Sequence, residues 1–250
     1  MVIKLNPKKR LDVIIYEKGI ETSLLRAQSR ILAGDVIVND HRVDKPGHLV
    51  REDAVVRLKN VDLPYVSRGG LKLAAALKSW PGPILGAVCI DVGASTGGFT
   101  DVLLKQGAKQ VFAVDVGYNQ LAFSLRQDAR VVVCERTHIG RVVVGTFSPE
   151  PSVATVDVSF ISLERVLPSL ILHLAADAYL YLLIKPQFEV DAKWVEKGGI
   201  VRNEQARVCA RDRILKCAQQ LGFKPRGFSE SPITGADGNI EYIAAFERVY

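Results

Sequence analysis

The run Asp91-Val92-Gly93-Ala94-Ser95-Thr96-Gly97-Gly98-Phe99-Thr100-Asp101 joins an apolar segment to a helix-like one, and its glycines let the backbone pass close to a bound molecule. Three ligand classes use such a loop. The phosphate-binding pattern Gly-x-x-x-x-Gly-Lys-Ser/Thr has its spacing in Gly93 and Gly98, but Phe99 stands where the lysine must be. The dinucleotide pattern Gly-x-Gly-x-x-Gly is broken by Gly93-Ala94-Ser95. The class left is S-adenosylmethionine, a cationic sulfonium without phosphates. Asp91 suits its amino-acid end, beside the backbone of Gly93, Ala94, Ser95, Gly97, Gly98 and Phe99. Asp115 ends the next apolar run, where a carboxylate can accept both hydroxyls of a ribose.

Lys72, Asp157, Lys185 and Glu241 are a second group able to do chemistry. Asp157 and Lys185 each follow an apolar run, residues 153–156 and 179–184, and so stand at carboxyl ends of strand-like segments. Open α/β sheets collect their ligands there. Glu241 starts the last apolar run, and Lys72 lies early on an alanine- and leucine-rich stretch, 71–77. Singly, each reads as a solvated element terminus. Together they suit transfer of a methyl group from a sulfonium to a ribose 2'-hydroxyl, which needs in-line geometry and help in removing a proton from a poor acid. A lysine near a second cation and near carboxylates can take or polarise that proton, while the others orient it.

The elements that must position these residues alternate. Residues 87–91, 110–115, 130–134, 152–157 and 178–184 read as apolar strands, and 223–232 and 240–248 complete seven. Between them 98–106, 119–126, 163–174 and 203–221 read as helices. Continuous apolar strands between helices predict an α/β fold: a Rossmann-like, mostly parallel sheet of seven strands, covered on both faces. Ahead of it lie a short helix closed by Gly19 and a second one capped by Thr22 or Ser23 and stopped by Gly34. β-like runs at 36–38 and 55–58 follow, so a small α+β module is expected. The boundaries expected are 1–59 for the module, 60–66 for a linker and 67–250 for the sheet domain.

A chain of 250 residues, 48% hydrophobic and 24% charged, is long enough for one full core plus a small domain and is not mainly disordered. Its longest strongly apolar stretch, 169–184, is interrupted by His173 and Asp177 and falls short of the roughly 20 residues a spanning helix needs. The basic N-terminus is followed by no apolar segment of the secretory kind, so a cytoplasmic protein without membrane contact is expected. Cys89, Cys134, Cys209 and Cys217 lie too far apart for a metal or disulfide framework. Of the net charge of +6, residues 1–60 supply +4 from 12 Lys/Arg and 8 Asp/Glu, which points that end at a polyanion. Arg26, Arg30, Arg42 and Lys45 can form a phosphate-binding face there. Segment 189–202, with Trp194 among Lys193 and Lys197, reads as a loop beside the site, where Trp194 can pack on the sheet or stack on a base.

The module resembles the S4 RNA-binding domain, through Arg10-Leu11-Asp12, Gly19, Ser23, Ala27, Ile31, Gly34-Asp35-Val36-Ile37-Val38-Asn39 and Lys45-Pro46-Gly47. Residues 67–248 resemble the FtsJ-type ribose methyltransferases. Their linkage, with Ser67-Arg68-Gly69-Gly70-Leu71-Lys72-Leu73, Asp157-Val158-Ser159-Phe160-Ile161-Ser162 and Ile184-Lys185-Pro186-Gln187-Phe188-Glu189, is similar to the TlyA (hemolysin A) family. The resemblance implies an S-adenosylmethionine-dependent 2'-O-methyltransferase acting on cytidines of ribosomal RNA or ribosomal subunits. It implies a catalytic Lys-Asp-Lys-Glu tetrad at Lys72, Asp157, Lys185 and Glu241, Glu135 at the adenine, and Arg10 among the RNA contacts. Leu24 stands where the S4 pattern has Arg, Asp40 where it has Gly, and His138 where the methyltransferases have Asn.

Three other readings compete. A membrane-lytic protein needs an amphipathic or spanning segment and an export signal, and neither is visible. An RNA-binding factor without catalysis would not need the glycine loop and four tetrad positions. A pseudouridine synthase carries its aspartate in Gly-Arg-Leu-Asp, whereas Arg10-Leu11-Asp12 follows Lys9 and belongs to the small module.

Overall fold

The computed structural model describes residues 8–39, 41–58, 63–235 and 238–249. Asp40 and linker positions 60–62 lie outside them. The chain divides into two compact units, Met1–Pro64 and Tyr65–Tyr250. Tyr65 and Val66, read from sequence as linker, pack inside the second unit: the Val66 amide donates to Asp101 (2.9 Å), and the Lys105 ammonium stands over the Tyr65 ring.

In the first unit, strand β1 (Lys8–Arg10) leads into α1 (Leu11–Glu17) and α2 (Leu24–Leu32). Strands β2 (Val36–Val38), β3 (His41–Arg42), β4 (Leu49–Arg51) and β5 (Val56–Leu58) follow. Ser23 caps α2 by accepting the Arg26 amide, and Gly19 and Gly34 take the left-handed conformation after each helix. Leu11, Ile14, Ile15, Ala27, Ile31 and Val36 form its core. Strands β1 and β4 pair antiparallel and β3-β2-β5 make a second small sheet. Of these, β1 and β3 are wholly polar and β4 is mixed, each two or three residues long and defined by pairing rather than by any apolar pattern.

In the second unit α3 (Gly69–Ser79) precedes β6 (Val88–Val92), α4 (Gly98–Lys105), β7 (Gln110–Val114), α5 (Phe123–Arg126) and β8 (Val131–Cys134). Then come β9 (Val153–Val156), α6 (Leu163–Leu170), β10 (Tyr179–Ile184), α7 (Pro186–Glu189), α8 (Glu204–Gln220), β11 (Phe223–Glu230) and β12 (Tyr242–Arg248). The sheet order is β11-β12-β10-β9-β6-β7-β8, with β12 antiparallel to both neighbours and the rest parallel. This is the expected seven-stranded, mostly parallel sheet. Leu163, Leu167 and Leu170 of α6 and Ile214 of α8 close one face over Ile90, Leu182 and Ile184. Leu73 and Leu77 of α3 with Val102 and Leu103 of α4 close the other over Cys89, Val111 and Leu183.

Two helices are shorter than their apolar patterns. Residues 119–122 form a turn with Asn119 at φ +58°, because Glu135 collects the amides that would start a helix. Helix α6 ends at Leu170 in a tight turn over Ile171–His173. Among the described residues no helix is long and apolar enough to cross a membrane.

Candidate active site

Strand order reverses between β6 and β9, and a cavity of about 410 Å³ opens there. Reversals of this kind are where open α/β sheets hold ligands, and the volume lies in the usual small-molecule range. Gly93, Ser95, Asp115, Gln120, His138 and Asp157 contribute to its wall. The glycine loop turns sharply at Gly93 (φ +85°), where a Cβ would lie 2.2 Å from the Asp157 carbonyl oxygen. The loop therefore passes flush against the end of β9. Asp115 is held by the Ser95 and Gly117 amides, each 2.7 Å from one of its carboxylate oxygens. Each oxygen keeps a lone pair free for a hydroxyl donor. This donor set fits the ribose and backbone-bound part of S-adenosylmethionine, with Gly93, Ser95 and Asp115 as the residues that would hold it.

The other cofactor candidates are placed differently from Gly93, Ser95 and Asp115. Asp91 is fully buried, and its oxygens accept the Thr100 and Thr155 hydroxyls at 2.7 and 2.8 Å, so it braces β6, α4 and β9 from below. Ala94, Gly97, Gly98 and Phe99 are likewise buried, shaping the loop without lining the cavity. Glu135 faces the turn at Asn119, Gln120 and Leu121 and pairs with Arg126, and the Asn119 amide foremost holds its carboxyl below the usual range.

Burial raises the pKa of Asp91 from 3.8 to about 6. A folded-state value above the unfolded one means the native protein binds more protons between those pH values. Stability from this group therefore falls as pH rises through that window, a cost on the order of 3 kcal/mol above it. Asp91→Asn is expected to raise stability toward denaturant at pH 8 and to change it little near pH 4. An equal change at both pH values would contradict this.

The tetrad candidates form two ion pairs. Lys72 on α3 is buried against the carboxylate of Glu241, also buried. Lys185 Nζ stands 2.6 Å from Asp157 Oδ1, off the hydrogen-bonding direction, and donates to Ser159 Oγ at 2.9 Å. Strand register explains why these meet. Ile184 lies opposite Tyr242 in the β10/β12 pair, so one residue further Lys185 and Glu241 flank the same strand end. Leu182 lies opposite Val156 in the β9/β10 pair, which brings Asp157 beside that end. Asn239, buried two residues before Glu241, accepts the Val201 amide and donates to the Gly199 carbonyl. Gly235 has no side chain where one would strike the Glu241 carboxylate.

Phe160 was not among the residues singled out by sequence. It lines the cavity, is 92% exposed and sits at φ +64°, in tilted contact with Phe188 at 5.1 Å between ring centres. An exposed aromatic held in a sparsely populated backbone conformation is unusual, and nothing in the local sequence signals that conformation.

The five basic candidates of the first unit separate into two groups. Arg10 is held by Asp12 through two hydrogen bonds, Arg26 and Arg30 share the buried Glu21, and Arg30 also reaches Asp35. Much of their charge is thus met by acids. Arg42 and Lys45 are exposed and form no ion pair among the described residues, and the Arg42 guanidinium lies against Gly34. Trp194 borders a different cavity of about 270 Å³, between the segment after α7 and α8.

An FtsJ-like methyltransferase model matches residues 65–248, and an S4 domain model matches residues 9–56. The chain is 47% identical over 237 residues to YqxC of Bacillus subtilis, covering 94% of this chain and 84% of that protein. It is 40% identical over 237 residues to the 16S/23S rRNA (cytidine-2'-O)-methyltransferase TlyA of Mycobacterium tuberculosis, covering 94% and 88%. A solved hemolysin-type structure from Streptococcus thermophilus superposes with a TM-score of 0.75 at 41% identity, over 98% of this chain and 90% of that one. The chain belongs to the FtsJ-like methyltransferase family and carries an S4 domain ahead of its methyltransferase unit.

Proposed function

We propose that the protein transfers a methyl group from S-adenosylmethionine to the ribose 2'-hydroxyl of a cytidine in ribosomal RNA, and that it acts in the cytoplasm. The observation that carries this reading is the pairing of two lysines with two carboxylates at one strand end, beside the cavity under the glycine loop. The similarity to a relative named as a cytidine-2'-O-methyltransferase supports the choice of hydroxyl and nucleoside.

S-adenosylmethionine, when bound, supplies an electrophilic methyl carbon on sulfur and leaves as the neutral thioether. Lys185, fixed by Asp157 and Ser159, meets the incoming hydroxyl oxygen and orients it for in-line attack. The hydroxyl proton passes to the Asp157 carboxylate, the base beside the Lys185 ammonium, as the new C–O bond forms. Lys72, locked to Glu241, holds a positive charge where alkoxide character develops, in a site poor in water. Phe160 offers a flat aromatic face on which the target base can stack once it leaves the RNA helix.

The S4 unit supplies the RNA grip, with Arg42 and Lys45, exposed and without an ion pair among the described residues, as two of the cations that meet phosphate. Each phosphate contact contributes about one unit to the slope of log affinity against log salt. Replacing both residues with alanine is expected to flatten that slope by about two units in a salt titration of RNA binding. A slope equal to that of the unaltered protein would remove them from the interface.

Labelled methyl transfer to purified small and large ribosomal subunits tests the reading as a whole. Label on the RNA of either subunit is expected. Measurable cofactor binding with no label on either subunit would overturn the assignment of substrate.

A further inference from the structure

Two segments meet at the mouth of the cavity, 157–163 after β9 and 185–189 after β10. Three contacts join them in order. At one end Lys185 pairs with Asp157 and donates to Ser159. In the middle Phe160 lies against Phe188. At the far end the Glu189 carboxylate accepts the Leu163 amide at 2.9 Å and the Ser162 hydroxyl at 2.6 Å. Glu189 is buried, its own carbonyl accepts from Arg213 on α8, and the same guanidinium stands 3.7 Å from its carboxylate, which anchors the side chain from behind.

Of these contacts only the last is shut away from the cavity. It also sits at the N-terminus of α6, where Ser162 is already the cap and accepts the Glu164 amide at 3.2 Å. A carboxylate there pulls the helix start and the preceding loop toward α7. Within this loop Val158 and Ile161 pack on the core, whereas Ser159 and Phe160 are exposed and Phe160 is held in a left-handed backbone conformation, so the stretch facing the cavity depends on how its ends are held.

We infer that Glu189 is a positioning residue for methyl transfer: by clasping Ser162 and Leu163 it sets the loop that presents Asp157, Ser159 and Phe160 to Lys185. The inference rests on the proposed function for its consequence in catalysis but not for its geometry. Glu189 touches neither substrate nor cofactor, and its effect is transmitted through the position of Lys185 and the Phe160 ring.

The test uses the full chain with Glu189→Ala and Glu189→Gln. A brief pulse of acetic anhydride, read by peptide mass spectrometry, reports how firmly each lysine is held. In Glu189→Ala, acetylation of Lys185 is expected to rise several-fold, while Lys72, held by Glu241, and the exposed Lys224 keep their rates. Glu189→Gln retains an acceptor for the Leu163 amide and is expected to fall between Ala and the unaltered protein. Methyl transfer by Glu189→Ala is expected to drop in kcat by about 100-fold, the scale set by a displacement near 1 Å, with cofactor affinity unchanged.

Unchanged Lys185 acetylation in folded Glu189→Ala overturns the inference. So does a rise shared by Lys72, which would mark general loosening. Should the alanine variant fail to fold, the same comparison on Glu189→Gln decides. Absence of transfer by the unaltered protein would count against the proposed function, while the acetylation result would still decide the role of Glu189.

Discussion

Lys72→Met is expected to lower methyl transfer by about three orders of magnitude while cofactor affinity stays within a few-fold. The argument is geometric. Lys72 comes from α3, outside the sheet and outside the cavity wall, and its ammonium is buried against Glu241 at the head of β12. Removing it takes away no contact with Gly93, Ser95 or Asp115, so binding measured by calorimetry should survive. Methionine leaves Glu241 buried without its cation, a loss that costs about 3–5 kcal/mol when a buried pair is broken. Lys72→Met combined with Glu241→Gln removes that penalty and should recover stability without recovering transfer. Transfer retained by either variant would show that the Lys72–Glu241 pair serves the fold alone.

Gly93→Ala is expected to do the reverse, abolishing cofactor binding through the loop itself. A Cβ at this position meets the Asp157 carbonyl oxygen at 2.2 Å, a separation no side chain tolerates, and φ is +85°. Backbone strain of that kind costs on the order of 1–3 kcal/mol, and the clash adds displacement of both loop and β9 end. Gly145 provides the control, since it too has a positive φ, +89°, but faces open space. Gly145→Ala should lose only the strain and keep cofactor affinity. If calorimetry gives Gly93→Ala an affinity like that of Gly145→Ala, the close approach is irrelevant to the ligand and the loop assignment fails.

The contrast between these two variants shows what was readable in the sequence. Strands β6, β7, β9 and β10 are mainly apolar and almost wholly buried, broken only by Asp91, Gln110 and Thr155, so pattern alone located them and the residues that follow them. Lys185 and Asp157 could be placed at strand ends for that reason, and the glycine spacing disclosed a close backbone approach. Burial direction could not be read. Asp91 stands at a strand end just as Asp115 does, yet Thr100 and Thr155 draw it into the core while Ser95 and Gly117 present Asp115 to the cavity. The surroundings of Glu135 were hidden for a related reason: a turn amide fifteen residues earlier, on the cavity-lining Gln120, donates to its carboxylate. Neither competition leaves a local trace. Phe160 and Glu189 escaped because their roles depend on a strained φ and on contacts across two loops. The cations of the S4 unit divide by acid partners close in sequence, Asp12 for Arg10 and Glu21 for Arg26 and Arg30, whose side-chain directions are set only by the fold.

The central claim concerns the atom that receives the methyl group, and alkaline hydrolysis of the labelled RNA tests it most directly. A methyl on the 2'-oxygen removes the nucleophile that alkali uses to cleave the neighbouring phosphodiester. Label carried there is therefore recovered in alkali-resistant dinucleotides beginning with cytidine, and this is the result expected. Label recovered in mononucleotides would place the methyl on a base, and the roles given to Lys72, Asp157, Lys185 and Glu241 would be wrong.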